Sequence, residues 1–184
     1  MTKWEFIQHE VITLSIHGAF QRAKVYVSEA SDDSARESLR KRLAILLRDL
    51  GSQYTDSVGG EQHKINIKKI ADDLTAEFEG RNLLYENRFR IGIAQKALNL
   101  YLKYLWCMGK AERPPHCPFD AGIIDKLKPQ LTKLQKNNLQ WTKLDSLEDY
   151  QTLVDAGLMK IKTTQYSSLS DWELDQWNPE SNRR

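Results

Sequence analysis

The stretch Ile93–Met108, with the sequence IAQKALNLYLKYLWCM, decides the fold. Apolar side chains occupy most of its positions, far more than the single stripe of an ordinary surface helix. A helix that is apolar on so much of its surface normally lies at the centre of a domain. The pattern therefore predicts a central buried helix over these residues, around which the rest of the chain packs.

Three further helices are predicted on the N-terminal side, because apolar residues recur there at helical spacing. The first covers Trp4–Val27. The second follows the capping residues Ser31-Asp32-Asp33-Ser34 and runs to about Leu50, and the third ends near Gly80. Between Gly80 and the central helix the sequence is irregular and predicts a hairpin.

On the C-terminal side, Gly109 ends the central helix and a loop with three prolines follows, in which a helix cannot continue. Capping-type starts at Asp120, Ser146 and Ser170 predict three further helices. The segment Leu158–Thr164 is compatible with a short strand, but no alternating pattern is convincing elsewhere. The prediction is an all-α fold.

Length and composition are those of one domain. The 184 residues are 40% hydrophobic and 28% charged, with no apolar run of the ~20 residues that a membrane span needs. We expect a single compact helical domain over 1–184, with N-terminal helices in 1–80, the hairpin, central helix and Pro-rich loop in 81–130, and C-terminal helices in 131–184. Only two cysteines occur, which favours a reducing, cytoplasmic location. Neither a metal site nor a cofactor is predicted.

Two short elements carry the candidate chemistry. Gly92 precedes the central helix, where a glycine allows close backbone approach and the helix amides face an anion such as phosphate. Lys96 lies one turn further on, where burial would lower its pKa and make it a nucleophile. Asp120 follows Pro118 at the start of the next helix, whose amides favour the ionised carboxylate.

These two elements, Gly92-Ile93-Ala94-Gln95-Lys96 and Pro118-Phe119-Asp120, resemble those of the helix-hairpin-helix DNA glycosylase superfamily, and within it the bifunctional 8-oxoguanine glycosylases. The resemblance covers about residues 88–124, and Ala94 stands where the family has a second hairpin glycine. It implies that Lys96 attacks the sugar C1′ of a damaged nucleotide to form a Schiff base. It also implies that Asp120 helps to deprotonate the lysine, and that β-elimination then cuts the strand.

Duplex DNA is the partner that this hypothesis requires. Arg88 and Arg90, beside the hairpin, are the best candidates for phosphate contacts. Gly92 and Ala94 would approach the DNA through the hairpin backbone, and Lys103 would extend a DNA-facing stripe along the central helix. The net charge of +2 permits such binding without demanding it.

Plainer interpretations stand beside this one. Lys96 also fits a solvated surface lysine, Asp120 an ordinary N-cap, and the arginines a solvated loop. On that basis the chain is a non-catalytic all-helical binding or regulatory module, phage- or defence-related, that binds DNA or a protein partner. A third hypothesis is a DNA-binding protein that uses the hairpin for phosphate contact without chemistry.

Overall fold

The computed structural model describes residues 1–27 and 33–177, and within them it has eight α-helices and three short 3-10 helices. The α-helices are α1 (Lys3–Phe20), α2 (Asp33–Gly51), α3 (Gly60–Glu77), α4 (Ile91–Cys107), α5 (Ala121–Leu127), α6 (Lys133–Asn138), α7 (Leu147–Ile161) and α8 (Leu169–Gln176). The predicted all-α fold is confirmed. In the part of the chain that the structure describes, no helix is both long enough and apolar enough to cross a bilayer.

Helix α4 lies at the centre, as its composition predicts. Every residue from Ile91 to Asn99 is buried, and the helix packs against α1, α2, α3 and α7. Its apolar side chains meet those of the surrounding helices in one core. Because so many apolar side chains of α4 are buried, this helix makes the main hydrophobic contribution to stability that the sequence pattern predicts.

Local capping chemistry sets several helix starts. The Ser146 hydroxyl accepts the Asp149 amide at 3.0 Å and begins α7, as predicted. The helix predicted near Ser170 exists as α8, but Ser170 as its cap is wrong, because Ser168 caps the helix by accepting the amide of Asp171 at 3.1 Å. Ser170 is instead a buried residue inside α8 whose hydroxyl donates to the Pro114 carbonyl at 2.7 Å.

Two other predictions differ from the structure. Helix α1 ends at Phe20, and residues 25–27 run extended beside 83–85, where the Tyr85 amide donates to the Val25 carbonyl at 2.9 Å. The suggested strand at Leu158–Thr164 is wrong, because α7 continues to Ile161. The predicted cap residues Ser31 and Asp32 lie outside the described residues.

Candidate functional site

The N-terminal end of α4 packs closely against the backbone near residue 142. Gly92 is the second residue of the helix, and its amide donates to the Leu144 carbonyl at 2.8 Å. A β-carbon on Gly92 would lie 1.8 Å from the Trp141 carbonyl oxygen, so only glycine fits this approach. Ala94 is fully buried. The close backbone approach predicted at Gly92 therefore exists, but the backbone that it meets belongs to the same chain.

Gln95 joins the two segments that carry the predicted catalytic residues. Its side-chain amide donates to the Phe119 carbonyl at 2.9 Å and accepts the Phe119 amide at 3.2 Å, which holds the Pro-rich loop on α4. Asp120 is next in the chain and caps α5, accepting the Ile123 amide at 3.0 Å. Its charge acts on Lys96 and opposes the lowering of the lysine pKa.

Lys96 is buried rather than solvated, with 9% of its surface exposed. The ammonium lies over the Trp141 ring, 4.1 Å from the ring centroid, in a cation–π contact. Burial lowers the pKa of Lys96, and the positive charge of Arg22 lowers it further. The shift has the direction that favours a nucleophilic amine, but an aromatic ring covers the lysine nitrogen.

Of the predicted phosphate contacts, Arg88 is half exposed and pairs with Asp145 at 2.7 Å. Arg90 is buried, and its guanidinium binds the Glu86 carboxylate at 2.6 Å and donates to the Thr142 carbonyl at 3.0 Å. Arg90 therefore holds the loop before α4 onto the turn near residue 142, in addition to carrying charge.

Lys103 lies in a different environment, on the far part of α4. It donates to both carboxylate oxygens of Glu173 at 2.7 and 2.9 Å, and both side chains are largely buried. Burial raises the pKa of Glu173, although the lysine charge opposes this shift. The pair joins α8 to α4, so the Lys103 charge is already matched within the fold.

A basic cleft of about 560 Å³ opens beside the loop before α4. Three separate segments line it: the residues after α1, the loop around residue 86 and the turn near residue 142. Four of its lining side chains are cationic and one is a carboxylate, for a net charge of +3; the charged residues are Arg22, Lys24, Arg90, Lys143 and Glu86. We call this site the basic cleft.

Of the cations in the basic cleft, only Arg90 was predicted from the sequence. Arg22 lies just after the end of α1 and adopts φ = 65°, a left-handed backbone that non-glycine residues rarely take. Lys24 and Arg90 both lie near the Tyr85 ring, 5.3 and 5.0 Å from its centroid. The only available signal was the cluster of basic residues at 22 and 24, which is too common to be informative alone.

A second polar cluster lies deep in the core. The Tyr54 hydroxyl accepts from Asn66 at 3.1 Å and is hydrogen-bonded to His63 Nδ1, 2.7 Å away. Burial, with the nearby His116, lowers the pKa of His63, and burial lowers the pKa of His116 to about 4. Both imidazoles are therefore neutral at pH 7.

The same cluster continues to Tyr150, whose hydroxyl lies 3.0 Å from His116 Nδ1. The rings of His63 and His116 pack edge-to-face with their centroids 5.0 Å apart. The arrangement joins α3, α7 and the Pro-rich loop, and its groups face one another rather than a cleft. Among the residues that the structure describes, no group of three or more His, Cys, Asp or Glu side chains is placed to hold a metal ion.

The comparisons with known proteins add no assignment: no family model, no curated protein and no solved structure matches this chain.

Proposed function

We propose that this protein binds DNA without catalysis, through phosphate contacts in the basic cleft. The observation that carries the proposal is the convergence of Arg22, Lys24 and Lys143 on one concave surface. These three side chains are exposed, and within residues 1–27 and 33–177 none has a carboxylate within ion-pair distance. Three unmatched cations on one concave surface raise the local concentration of a polyanion.

Arg90 contributes differently from the three exposed cations. Its guanidinium is already held by Glu86 and the Thr142 carbonyl, so it costs little further side-chain entropy when a phosphate binds nearby. It also fixes the relative positions of two of the segments that line the basic cleft. A preorganised cationic surface of this kind positions a phosphate backbone but does not by itself read a base sequence.

A second candidate function is the DNA glycosylase and lyase that the sequence resemblance implies. One observation favours it: burial lowers the pKa of Lys96, although the charge of Asp120 opposes that shift. Attack on C1′ requires the Trp141 ring to leave its position over the ammonium. The basic cleft requires no such rearrangement, so binding without chemistry is the function that the geometry supports best.

Binding is tested by fluorescence anisotropy with a labelled duplex over a range of salt concentrations, with single-stranded DNA and RNA as further probes. The test variant combines Arg22→Gln, Lys24→Gln and Lys143→Gln. Each lost phosphate contact reduces the slope of log K against log salt by about 0.9 on duplex DNA. We expect a visibly shallower slope and an affinity loss of at least about tenfold at low salt. Tighter binding of RNA than of duplex DNA would redirect the proposal to RNA.

The matched control removes the same number of charges elsewhere, with Lys69→Gln, Lys133→Gln and Lys136→Gln, all exposed in the structure. It has the same net charge as the test variant and should keep nearly the full affinity and slope. Equal losses in both variants would show that only net charge matters and would contradict the proposed site. If the protein binds none of these nucleic acids in a salt-sensitive way, the proposed function is wrong.

The enzymatic alternative is tested by borohydride trapping on duplexes that carry 8-oxoguanine or an abasic site. A covalent adduct that Lys96→Gln abolishes would establish a Schiff-base lyase. Salt-sensitive binding without an adduct supports the non-catalytic function proposed here.

A further inference from the structure

A second groove, separate from the basic cleft, lies between α1 and α2. Its volume is about 530 Å³, and its floor is apolar. Ile12, Ile16 and Phe20 of α1 face Ala44 of α2 across this floor. The groove is large enough to receive several apolar side chains, within the size range of ligand sites in proteins.

The α2 rim of this groove is cationic. Arg40, Lys41 and Arg48 line that side, and the side chains of His9 and His17 line the other side from α1. Within the described ranges, no Asp or Glu side chain belongs to the lining. An apolar floor with a rim of one charge sign is complementary to a ligand that is apolar on one face and acidic beside it.

Two of the rim cations are available to such a ligand in different ways. Lys41 is 72% exposed and pairs with Glu37 at 2.6 Å, an exposed pair of the kind that contributes little to stability. An incoming carboxylate can therefore replace Glu37 at small cost. Arg48 is exposed two turns further along α2, and it extends the same positive edge.

We propose that the α1–α2 groove binds an acidic amphipathic helix of a protein partner. Apolar anchors of such a helix, spaced three and four residues apart, fill the floor between Ile16 and Ala44. Its flanking carboxylates pair with the α2 rim, which orients the helix and selects against basic partners. Nucleic acid is a poorer fit, because a phosphate backbone would leave the apolar floor uncovered.

The probe is a fluorescein-labelled 16-residue peptide with leucines on one helical face and glutamates beside them. Two comparison peptides accompany it: one of identical composition with the leucines dispersed, and one with lysine in place of glutamate. We expect saturable binding of the first peptide and at least tenfold weaker binding of the other two. Equal binding of the dispersed peptide would show plain charge attraction, and lack of binding by the first peptide would overturn the proposal.

Variants locate the binding. The double variant Lys41→Glu, Arg48→Glu reverses the charge of the rim, and Ala44→Tyr fills the apolar floor. Each variant should weaken binding of the first peptide at least tenfold. The control pair Lys69→Glu with Lys133→Glu reverses two exposed charges outside the groove. Circular dichroism and thermal unfolding confirm that each variant is folded. If the control weakens binding as much as the rim variant does, the groove is not the binding site.

Two further outcomes would assign the groove to another occupant and overturn the proposal. Concentration-dependent dimerisation that Ala44→Tyr abolishes would assign it to a second copy of this chain. DNA binding that the rim variant abolishes would make it part of a nucleic-acid surface.

Discussion

Acidification should destabilise the fold through His116, well above the pH at which most carboxylates titrate. This imidazole is buried, and its Nδ1 lies 3.0 Å from the Tyr150 hydroxyl. Burial is the main cause that lowers its pKa from 6.5 to about 4; the positive charge of Lys64 adds to the shift and Glu61 opposes it. A neutral imidazole is therefore part of the folded state.

The sign of the effect follows from the direction of this shift. Because the pKa is lower in the folded state, the unfolded chain takes up the proton first as the pH falls below 6.5. The neutral His116 makes its full contribution to the free energy of unfolding above that pH, and this contribution is lost progressively towards pH 4. At 1.36 kcal/mol per pKa unit, the loss between pH 7.5 and pH 5 is about 2 kcal/mol for His116 alone. The pKa of His63 is also lowered, so His63 adds to the loss in the same direction.

Urea unfolding followed by circular dichroism at pH 7.5 and pH 5 measures this loss. His116→Gln removes the titrating group but keeps an acceptor for the Tyr150 hydroxyl. We expect the wild-type protein to lose about 2 kcal/mol more than this variant on acidification. The double variant His63→Gln, His116→Gln should have a still weaker pH dependence. The same loss in all three proteins would refute the reasoning, because groups other than these histidines would then cause it.

Three further predictions concern packing and reactivity. Gly92→Ala should lower the free energy of unfolding by about 3 kcal/mol, because the added β-carbon would clash with the Trp141 carbonyl. A loss under about 1 kcal/mol in urea unfolding would show that the turn near residue 142 moves to accommodate it. Lys103→Met should cost about 3 kcal/mol because Glu173 remains buried without its partner, and adding Glu173→Leu should restore most of the loss. Cys107 is exposed, whereas burial raises the pKa of Cys117, so a thiol reagent at pH 8 should modify one thiol in the native protein and two in urea.

The sequence was sufficient for the features that are encoded within one short stretch of the chain. The apolar composition of Ile93–Met108 predicts a central helix, because burial of a helix is read directly from how much of its surface is apolar. The caps at Asp120 and Ser146 are similarly local, since each side chain binds an amide three residues further on. Ser170 shows the limit of this reasoning, because its hydroxyl binds a distant carbonyl and the cap is Ser168.

Only the tertiary structure decided the environment of the candidate residues. The sequence singled out Lys96 as a possible buried amine, but its cover by Trp141 depends on a residue 45 positions later in the chain. The basic cleft is assembled from three segments, and the sequence analysis had identified only Arg90 in it. A helix pattern repeats every few residues and is therefore visible in the chain itself. A cleft depends on which distant segments pack together, and the packing of the whole core determines this.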